Sequence, residues 1–131
     1  GKFDIIIDDG GHTMNQQIVT LEECFKQLDD GGVFVVEDTH TSYWTSHGGS
    51  FNGRNTFLEH AKRTTDVMNI QFFGDLMQRD FVKNMEDLYS VSFYNSQVVF
   101  EKQHLAEFKI IDNGTDAKNT GAYNWAKNVE K

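Results

Sequence analysis

The amino-terminal part of the chain contains two short apolar runs with a helical stripe between them. Residues 3–7 are apolar apart from Asp4 and lead into acids and glycines, which predicts a β-strand buried on both faces. Thr13 and Gln16 form a possible capping box at the start of a helix. Apolar side chains then recur at helical spacing at Met14, Ile18, Leu21, Phe25 and Leu28. Residues 33–36 predict a second strand, so this part of the chain predicts a parallel βαβ unit with a right-handed crossover.

The middle of the chain predicts a long loop followed by helices. Residues 39–55 are polar, glycine-rich and aromatic without a period, and long loops of this kind in compact domains are usually functional or mobile. Residues 56–68 predict a helix, and residues 72–85 carry a weaker helical stripe. The core positions expected for the first of these helices are Phe57, Leu58, Ala61 and Val67.

The last predicted elements are two strands. Residues 88–93 and 98–102 flank a short polar segment, which predicts an antiparallel hairpin. Residues 113–131 are polar and rich in Gly and Asn, and we expect them to form a tail. The fold class is therefore α/β, with a parallel βαβ unit, a terminal antiparallel hairpin and helices packed on the sheet. Residues 1–112 are expected to form one partial domain.

The composition of the chain limits the classes of partner that it is expected to bind. The chain has 131 residues, a formal net charge of −8 and no basic cluster, so we expect neither a nucleic acid nor an anionic membrane as a main partner. No apolar run approaches membrane-spanning length. Cys24 is the single cysteine and cannot form an intramolecular disulfide, which favours a cytoplasmic protein with Cys24 as a core thiol.

Acidic pairs follow both predicted strands of the βαβ unit. Asp8 and Asp9 end the first strand, and Glu37 and Asp38 end the second. Parallel strands deliver their carboxyl ends to one sheet edge, and neighbouring strands lie about 4.8 Å apart. Three or four carboxylates would repel one another there, and a divalent cation would remove that repulsion. Oxygen ligands suit Mg²⁺, Mn²⁺ or Ca²⁺. Taken alone, the first pair with its two glycines favours a simple turn, and the second pair could equally be a solvated strand end.

Four further side chains are candidates for chemistry above this edge. His12 lies at the start of the first predicted helix, where it could act as a general base on a hydroxyl whose pKa the metal lowers. His40 could face a substrate or be an ordinary loop histidine. Tyr43 and Trp44 could line a sugar pocket or anchor the long loop to the domain. No partner for His60 can be recognised from the sequence, so we expect His60 at the surface.

Two sequence segments resemble a known enzyme family. The segment FDIIIDDGGH at residues 3–12, followed by VFVVEDTHTSYW at residues 33–44, is similar to the macrocin-type sugar O-methyltransferases and the related cephalosporin-hydroxylase-like group. The likeness covers roughly residues 3–102. It implies the carboxyl-terminal half of a Rossmann-like methyltransferase sheet. It also implies Mg²⁺ (or Mn²⁺) ligands at Asp9, Glu37 and Asp38, with His12 as the catalytic base.

The resemblance implies methyl transfer from S-adenosylmethionine to a hydroxyl of a sugar or a related natural product. Such enzymes bind the cofactor through an earlier Gly-rich loop, and the glycines of this chain do not form G-x-G-x-x-G after a strand. Whether the chain is itself an enzyme therefore stays open. The alternative is a non-catalytic, truncated metal-binding fragment. In either case the apolar strand at residues 3–7 would present an open edge, which predicts a homodimer joined through that edge.

Overall fold

The computed structural model describes residues 2–70, 84–85, 87–104 and 106. The helical stripe at 72–85, apart from its last two positions, and the tail at 113–131 lie outside the described residues. In chain order the elements are β1 Phe3–Asp8, α1 Met14–Cys24, β2 Leu28–Glu37, α2 Phe57–Met68, β3 Leu88–Tyr94 and β4 Gln97–Lys102. Short 3-10 turns at Phe25–Gln27, Thr39–Tyr43 and Thr45–His47 join them.

The four strands form one mixed sheet in the order β1-β2-β4-β3. Strands β1 and β2 are parallel, with Ile6 opposite Phe34 and Asp8 opposite Val36. Strand β4 pairs antiparallel with both β2 and β3. This topology confirms the predicted α/β class, the parallel βαβ unit and the terminal hairpin.

Helix α1 begins where the sequence predicts and ends earlier. The Thr13 side chain accepts a hydrogen bond from the Gln16 amide, and the Gln16 side chain in turn caps the backbone of Thr13, so the capping box is confirmed. The helix ends at Cys24, although the apolar stripe continues through Phe25 and Leu28. Both later side chains are fully buried, but they lie in a 3-10 turn and in β2. The stripe therefore marks core positions beyond the end of the helix.

The hydrophobic core lies between the two helices and one face of the sheet. Phe57 of α2 meets Phe100 of β4 edge to face at 6.5 Å between ring centroids. Burying a side chain of this size contributes roughly 1.5–3 kcal/mol, so the core fixes α2 against the sheet. The buried apolar residues are Met14, Leu21, Phe25, Leu28, Phe34, Val36, Phe57, Ala61, Val67, Met85, Leu88, Val98 and Phe100.

The prediction that β1 is buried on both faces is wrong. Ile6 packs against the core, but Phe3, Ile5 and Ile7 are 56%, 63% and 60% exposed. Side chains alternate across a strand, and in the described part of the chain both helices lie on the Ile6 side of the sheet. The continuous apolar run reflects a strand with hydrophobic side chains on both faces, of which one is covered here.

His60 was expected at the surface, and this prediction is also wrong. It lies on α2 facing α1, with its side chain 11% exposed and its Nε2 atom 3.5 Å from Glu22 Oε1. Burial lowers the pKa of His60, against the opposing effect of the Glu22 carboxylate. Neither of the described helices is long and apolar enough to cross a membrane.

Candidate metal centre

Three of the predicted site residues converge at the carboxyl edge of the parallel strand pair. Asp9 follows β1, His12 precedes α1 and Asp38 follows β2. One ligand atom from each lies within 4.8 Å of the other two. His12 Nε2 is 3.5 Å from Asp38 Oδ2. Asp9 is exposed, whereas His12 and Asp38 are half-buried, so the cluster is open to solvent on one side.

Local backbone geometry holds the two loops of the cluster together. Asp38 adopts a left-handed conformation with φ of 54°, which turns the chain sharply at the end of β2. The hydroxyl of Thr41 lies 2.9 Å from the carbonyl oxygens of both His12 and Asp38. Thr41 is itself buried. Through these contacts its hydroxyl links the loop after β1 to the loop after β2.

The first acid of the Asp8-Asp9 pair has a different environment from the second. Asp8 is buried, and its Oδ1 accepts a hydrogen bond of 3.2 Å from the Gly10 amide. Its Oδ2 is buried without a hydrogen-bond partner among the described residues. Burial raises the pKa of Asp8, although the Gly10 hydrogen bond opposes the change. Asp8 therefore shapes the turn, and Asp9 is the acid that faces the cluster.

Glu37 is not brought into the cluster. Its Oε1 accepts a hydrogen bond of 3.0 Å from Gln97 Nε2, across the pairing of β2 with β4. Its carbonyl oxygen accepts another of 3.0 Å from Gln17 Nε2. Asp9, His12 and Asp38 thus lie together, whereas the Glu37 side chain is held by Gln97 of the neighbouring strand β4.

Gln17 is a site residue that the sequence analysis missed. It is 1% exposed and fixes α1 to the end of β2 through its bond to the Glu37 carbonyl. A signal was present, because Gln17 lies between Met14 and Leu21 on the buried side of the helix. A polar residue in an apolar stripe indicates a specific hydrogen bond, since a buried amide without one is costly.

His40 lies beside Asp38 and is held on two sides. Its Nδ1 is 2.6 Å from Ser96 Oγ and 3.9 Å from Asp38 Oδ1, and its ring meets Trp44 edge to face at 4.6 Å. Ser96 was not predicted; it lies in the β3–β4 turn with a positive φ of 62°. Since Ser96 and Asp38 approach the same ring nitrogen, the trio lacks the geometry of a Ser-His-Asp relay, in which each partner uses its own nitrogen.

The two aromatic candidates of the loop point to different neighbours. Trp44 contacts His40 and also His47, whose ring centroid is 5.6 Å away. Tyr43 instead faces Phe51, at 6.4 Å between ring centroids. Trp44 and His40 therefore form one wall beside the acid cluster, and Tyr43 belongs to a separate surface.

The donor set of the cluster suits a hard divalent cation. Two carboxylate oxygens bound at about 2.1 Å to one Mg²⁺ lie at most about 4.2 Å apart, so a small side-chain rotation from the observed spacing closes the site. Mg²⁺ usually keeps several waters and takes one or two protein carboxylates, which matches Asp9 and Asp38. The imidazole of His12 is a weaker ligand for such a cation and is better suited to accepting a proton.

Comparison with curated proteins identifies relatives of part of the chain. No protein-family model matches it. It is 39% identical over 75 residues to the L-olivosyl-oleandolide 3-O-methyltransferase of Streptomyces antibioticus, covering 54% of this chain and 19% of that protein. It is 41% identical over 49 residues to the demethylmacrocin O-methyltransferase of Streptomyces fradiae, covering 37% and 12% respectively. The chain thus spans about a fifth or less of these relatives.

Solved structures extend the likeness to the fold. The MycE methyltransferase of the mycinamycin biosynthetic pathway, in complex with Mg and SAH, superposes with a TM-score of 0.73 and 26% sequence identity. That superposition covers 92% of this chain and 33% of MycE. The other crystal form of the same MycE complex superposes with a TM-score of 0.68 and 27% sequence identity, over 77% of this chain and 27% of MycE.

In fold and sequence the chain is similar to a part of the class I methyltransferases. Within that class its homologues are sugar O-methyltransferases of the macrolide and tetracenomycin pathways, similar to MycE. The resemblance implied by the two acidic motifs is therefore confirmed.

Proposed function

We propose that this chain is the metal-binding part of a sugar O-methyltransferase that uses S-adenosylmethionine. The observation that carries the proposal is the convergence of Asp9, His12 and Asp38 at the carboxyl edge of β1 and β2. Ligands of open α/β sheets bind at this edge. The MycE structures are complexes with Mg and SAH, which supports the same cation and cofactor here.

Asp9 and Asp38 would hold the cation, and Glu37 would join them after releasing Gln97. When bound, the cation would fix the acceptor and lower the pKa of its hydroxyl. His12 would accept the hydroxyl proton as the acceptor oxygen takes the methyl group. S-adenosylmethionine would supply that methyl group and leave as S-adenosylhomocysteine, with the electron pair of the broken carbon–sulfur bond on sulfur. The Thr41 hydroxyl keeps His12 and Asp38 in place, because it contacts the backbone of both.

The acceptor is proposed to be a sugar hydroxyl of a small molecule. The relatives are named as methyltransferases of olivosyl and rhamnosyl groups. His40 and Trp44 lie beside Asp38 and would form a wall for the sugar ring. Tyr43, the third predicted substrate residue, lies against Phe51 and is proposed to contact ligand on that separate surface.

Two further parts of the proposal concern the cofactor and the assembly. Binding of S-adenosylmethionine is proposed to require a Gly-rich strand-to-helix segment in addition to residues 1–131, because this chain contains no such motif. The outer edge of β1 is unpaired in the described sheet, and we propose a homodimer formed through residues 3–7. The single cysteine supports a cytoplasmic location.

The second candidate function is a metal-binding module without catalysis. The sequence of residues 1–131 supports it, because these residues contain no G-x-G-x-x-G segment after a strand. The two candidates share the cation site and differ in the chemistry. Transfer of a labelled methyl group to a rhamnoside, measured with the chain alone and with a Gly-rich amino-terminal segment added, separates them.

Calorimetric titration with Mg²⁺ tests the shared site. Asp38→Asn keeps the shape of the side chain and removes its charge, so we expect Mg²⁺ affinity to fall about tenfold or more. Asp66→Asn makes the same change on the exposed face of α2 and is expected to leave the affinity unchanged. Equal affinities for wild type and Asp38→Asn would remove the basis of the proposal.

A further inference from the structure

A second concave site lies away from the acid cluster, between the loop at 39–56 and α2. The cavity has a volume of about 170 Å³, and Tyr43, Ser50, Phe51, Glu59 and Lys62 are among its lining residues. An engineered apolar cavity of about 150 Å³ binds benzene, so this cavity is large enough for a single six-membered ring.

The walls of the cavity combine aromatic faces with paired charges. The rings of Tyr43 and Phe51 are inclined to each other by 31° and are 54% and 79% exposed, so both present surface to a ligand. In the same lining, Lys62 Nζ lies 2.5 Å from Glu59 Oε1. The hydrogen bond that Lys62 donates to the Glu59 carboxylate raises the pKa of Lys62, so Lys62 is a cation at neutral pH.

Other polar groups of the lining have unused hydrogen-bonding capacity. The Ser50 hydroxyl and the Asn52 amide line the cavity and form no side-chain hydrogen bond with the described residues. The backbone beside them is fixed, because the Ser50 amide donates to the Ser42 carbonyl at 2.9 Å and Ser42 Oγ accepts from the Leu58 amide at 3.2 Å. A fixed rim with free donors and acceptors favours binding, since little conformational freedom is lost.

Gly49 and Gly53 show that this loop conformation is closely packed. A Cβ atom at Gly49 would lie 2.4 Å from the Thr41 carbonyl oxygen, and one at Gly53 would lie 2.0 Å from Ser50 Oγ. Asn52 adopts a positive φ of 58° between them. Close packing therefore constrains the backbone conformation of the loop beside the cavity.

We propose that this cavity binds one neutral pyranose ring, separately from the acid cluster, with the C–H face of the sugar on Tyr43 and Phe51 and its hydroxyls on Glu59, Lys62 and Asn52. A sugar ring has one face of C–H groups and a rim of hydroxyls, which matches aromatic walls beside charged and amide groups. An anion would meet Glu59, a cation would meet Lys62, and an apolar ring would leave both unsatisfied. The proposal does not depend on the methyl-transfer assignment.

Titration of the isotopically labelled chain with methyl α-L-rhamnoside, followed by two-dimensional NMR, tests the proposal. We expect saturable shifts of the amide resonances of residues 50–53 and 58–62. Phe51→Ala is expected to weaken binding about fivefold. The variant should still fold, because the Phe51 side chain is largely exposed and contributes little to the core. Tyr94→Ala removes an aromatic side chain of comparable exposure on the hairpin and should leave binding unchanged.

Three further results decide between this site and the others. The titration is done without divalent cations, so that no metal holds a sugar at the acid cluster; shifts at residues 9–12 and 38–40 with none at residues 50–53 would place the sugar at the acid cluster and overturn the proposal. Cyclohexanol and inorganic phosphate are expected to cause smaller shifts at residues 50–53 than the rhamnoside. Stronger binding of either would show an apolar or an anion site instead, and would leave the metal-site proposal untouched.

Discussion

At the scale of single residues, buried polar groups join the elements that carry the site. Gln17 fixes α1 to the end of β2, and Thr41 links His12 to Asp38. The side chain of His60 lies outside the site and is 11% exposed. Its Nε2 atom is buried and has no hydrogen-bond partner among the described residues, even though Glu22 is near. The hydrogen bonds of Gln17 Nε2 and of the Thr41 hydroxyl specify geometry, although Gln17 Oε1 also has no partner among the described residues. A buried polar atom without a hydrogen bond makes stability sensitive to conditions.

His60 should make the stability of the fold depend on pH. Its pKa in the folded chain is lowered from the usual 6.5, mainly by burial, so the unfolded chain binds the proton more readily. The stabilising contribution is therefore complete above about pH 6.5 and is lost as the pH falls through the lower folded value. Glu22 opposes this effect and Arg63 adds to it.

We expect the free energy of unfolding to fall more steeply between pH 7 and about pH 5 in wild type than in His60→Gln. Urea unfolding of both proteins at several pH values measures the difference. Parallel pH profiles for the two proteins would show that His60 is not held neutral by the fold.

At the scale of elements, the start of α1 supports both the helix and the acid cluster. Thr13→Ala removes the capping hydroxyl next to His12 and should cost about 1 kcal/mol of unfolding free energy. Thr13→Ser keeps the hydroxyl and should stay close to wild type. Chemical denaturation compares the three proteins, and equal stability of Thr13→Ala and wild type would show that the capping box contributes nothing.

The same helix shows which features could be predicted from the sequence. Its start was predictable because the capping box is local, linking residues three apart. Its end was not, because Phe25 and Leu28 are buried equally well in a turn and a strand. Asp9, His12 and Asp38 were predictable from strand ends, whereas the bond between Glu37 and Gln97 joins residues 60 apart and depends on the pairing of β2 with β4.

At the scale of the whole molecule, the helices of the described residues cover only one face of the sheet. Its core face is covered by α1 and α2, while Ile5 and Ile7 on the other face are exposed at the edge strand. An exposed apolar edge favours pairing with a second chain. The proposed homodimer follows from this edge and not from the metal site, so the two can be tested apart.

Light scattering after size-exclusion chromatography tests the dimer. We expect the mass of the wild-type chain to rise from 15.0 kDa towards twice that value as concentration increases. Ile5→Lys places a charge on the edge strand and should keep the chain monomeric. Val19→Lys puts the same charge at a 47% exposed position of α1 and should still dimerise. A constant mass of 15.0 kDa for wild type would contradict the proposed assembly.

The proposed metal site requires that two strand ends present Asp9 and Asp38 to one cation near His12. Anomalous scattering from crystals of the chain soaked in Mn²⁺, which has the same oxygen preference as Mg²⁺, measures this arrangement. We expect one strong peak within about 2.2 Å of a carboxylate oxygen of both acids, and its loss in Asp38→Asn. A peak at another position, or no ion between the two acids, would rule the site out.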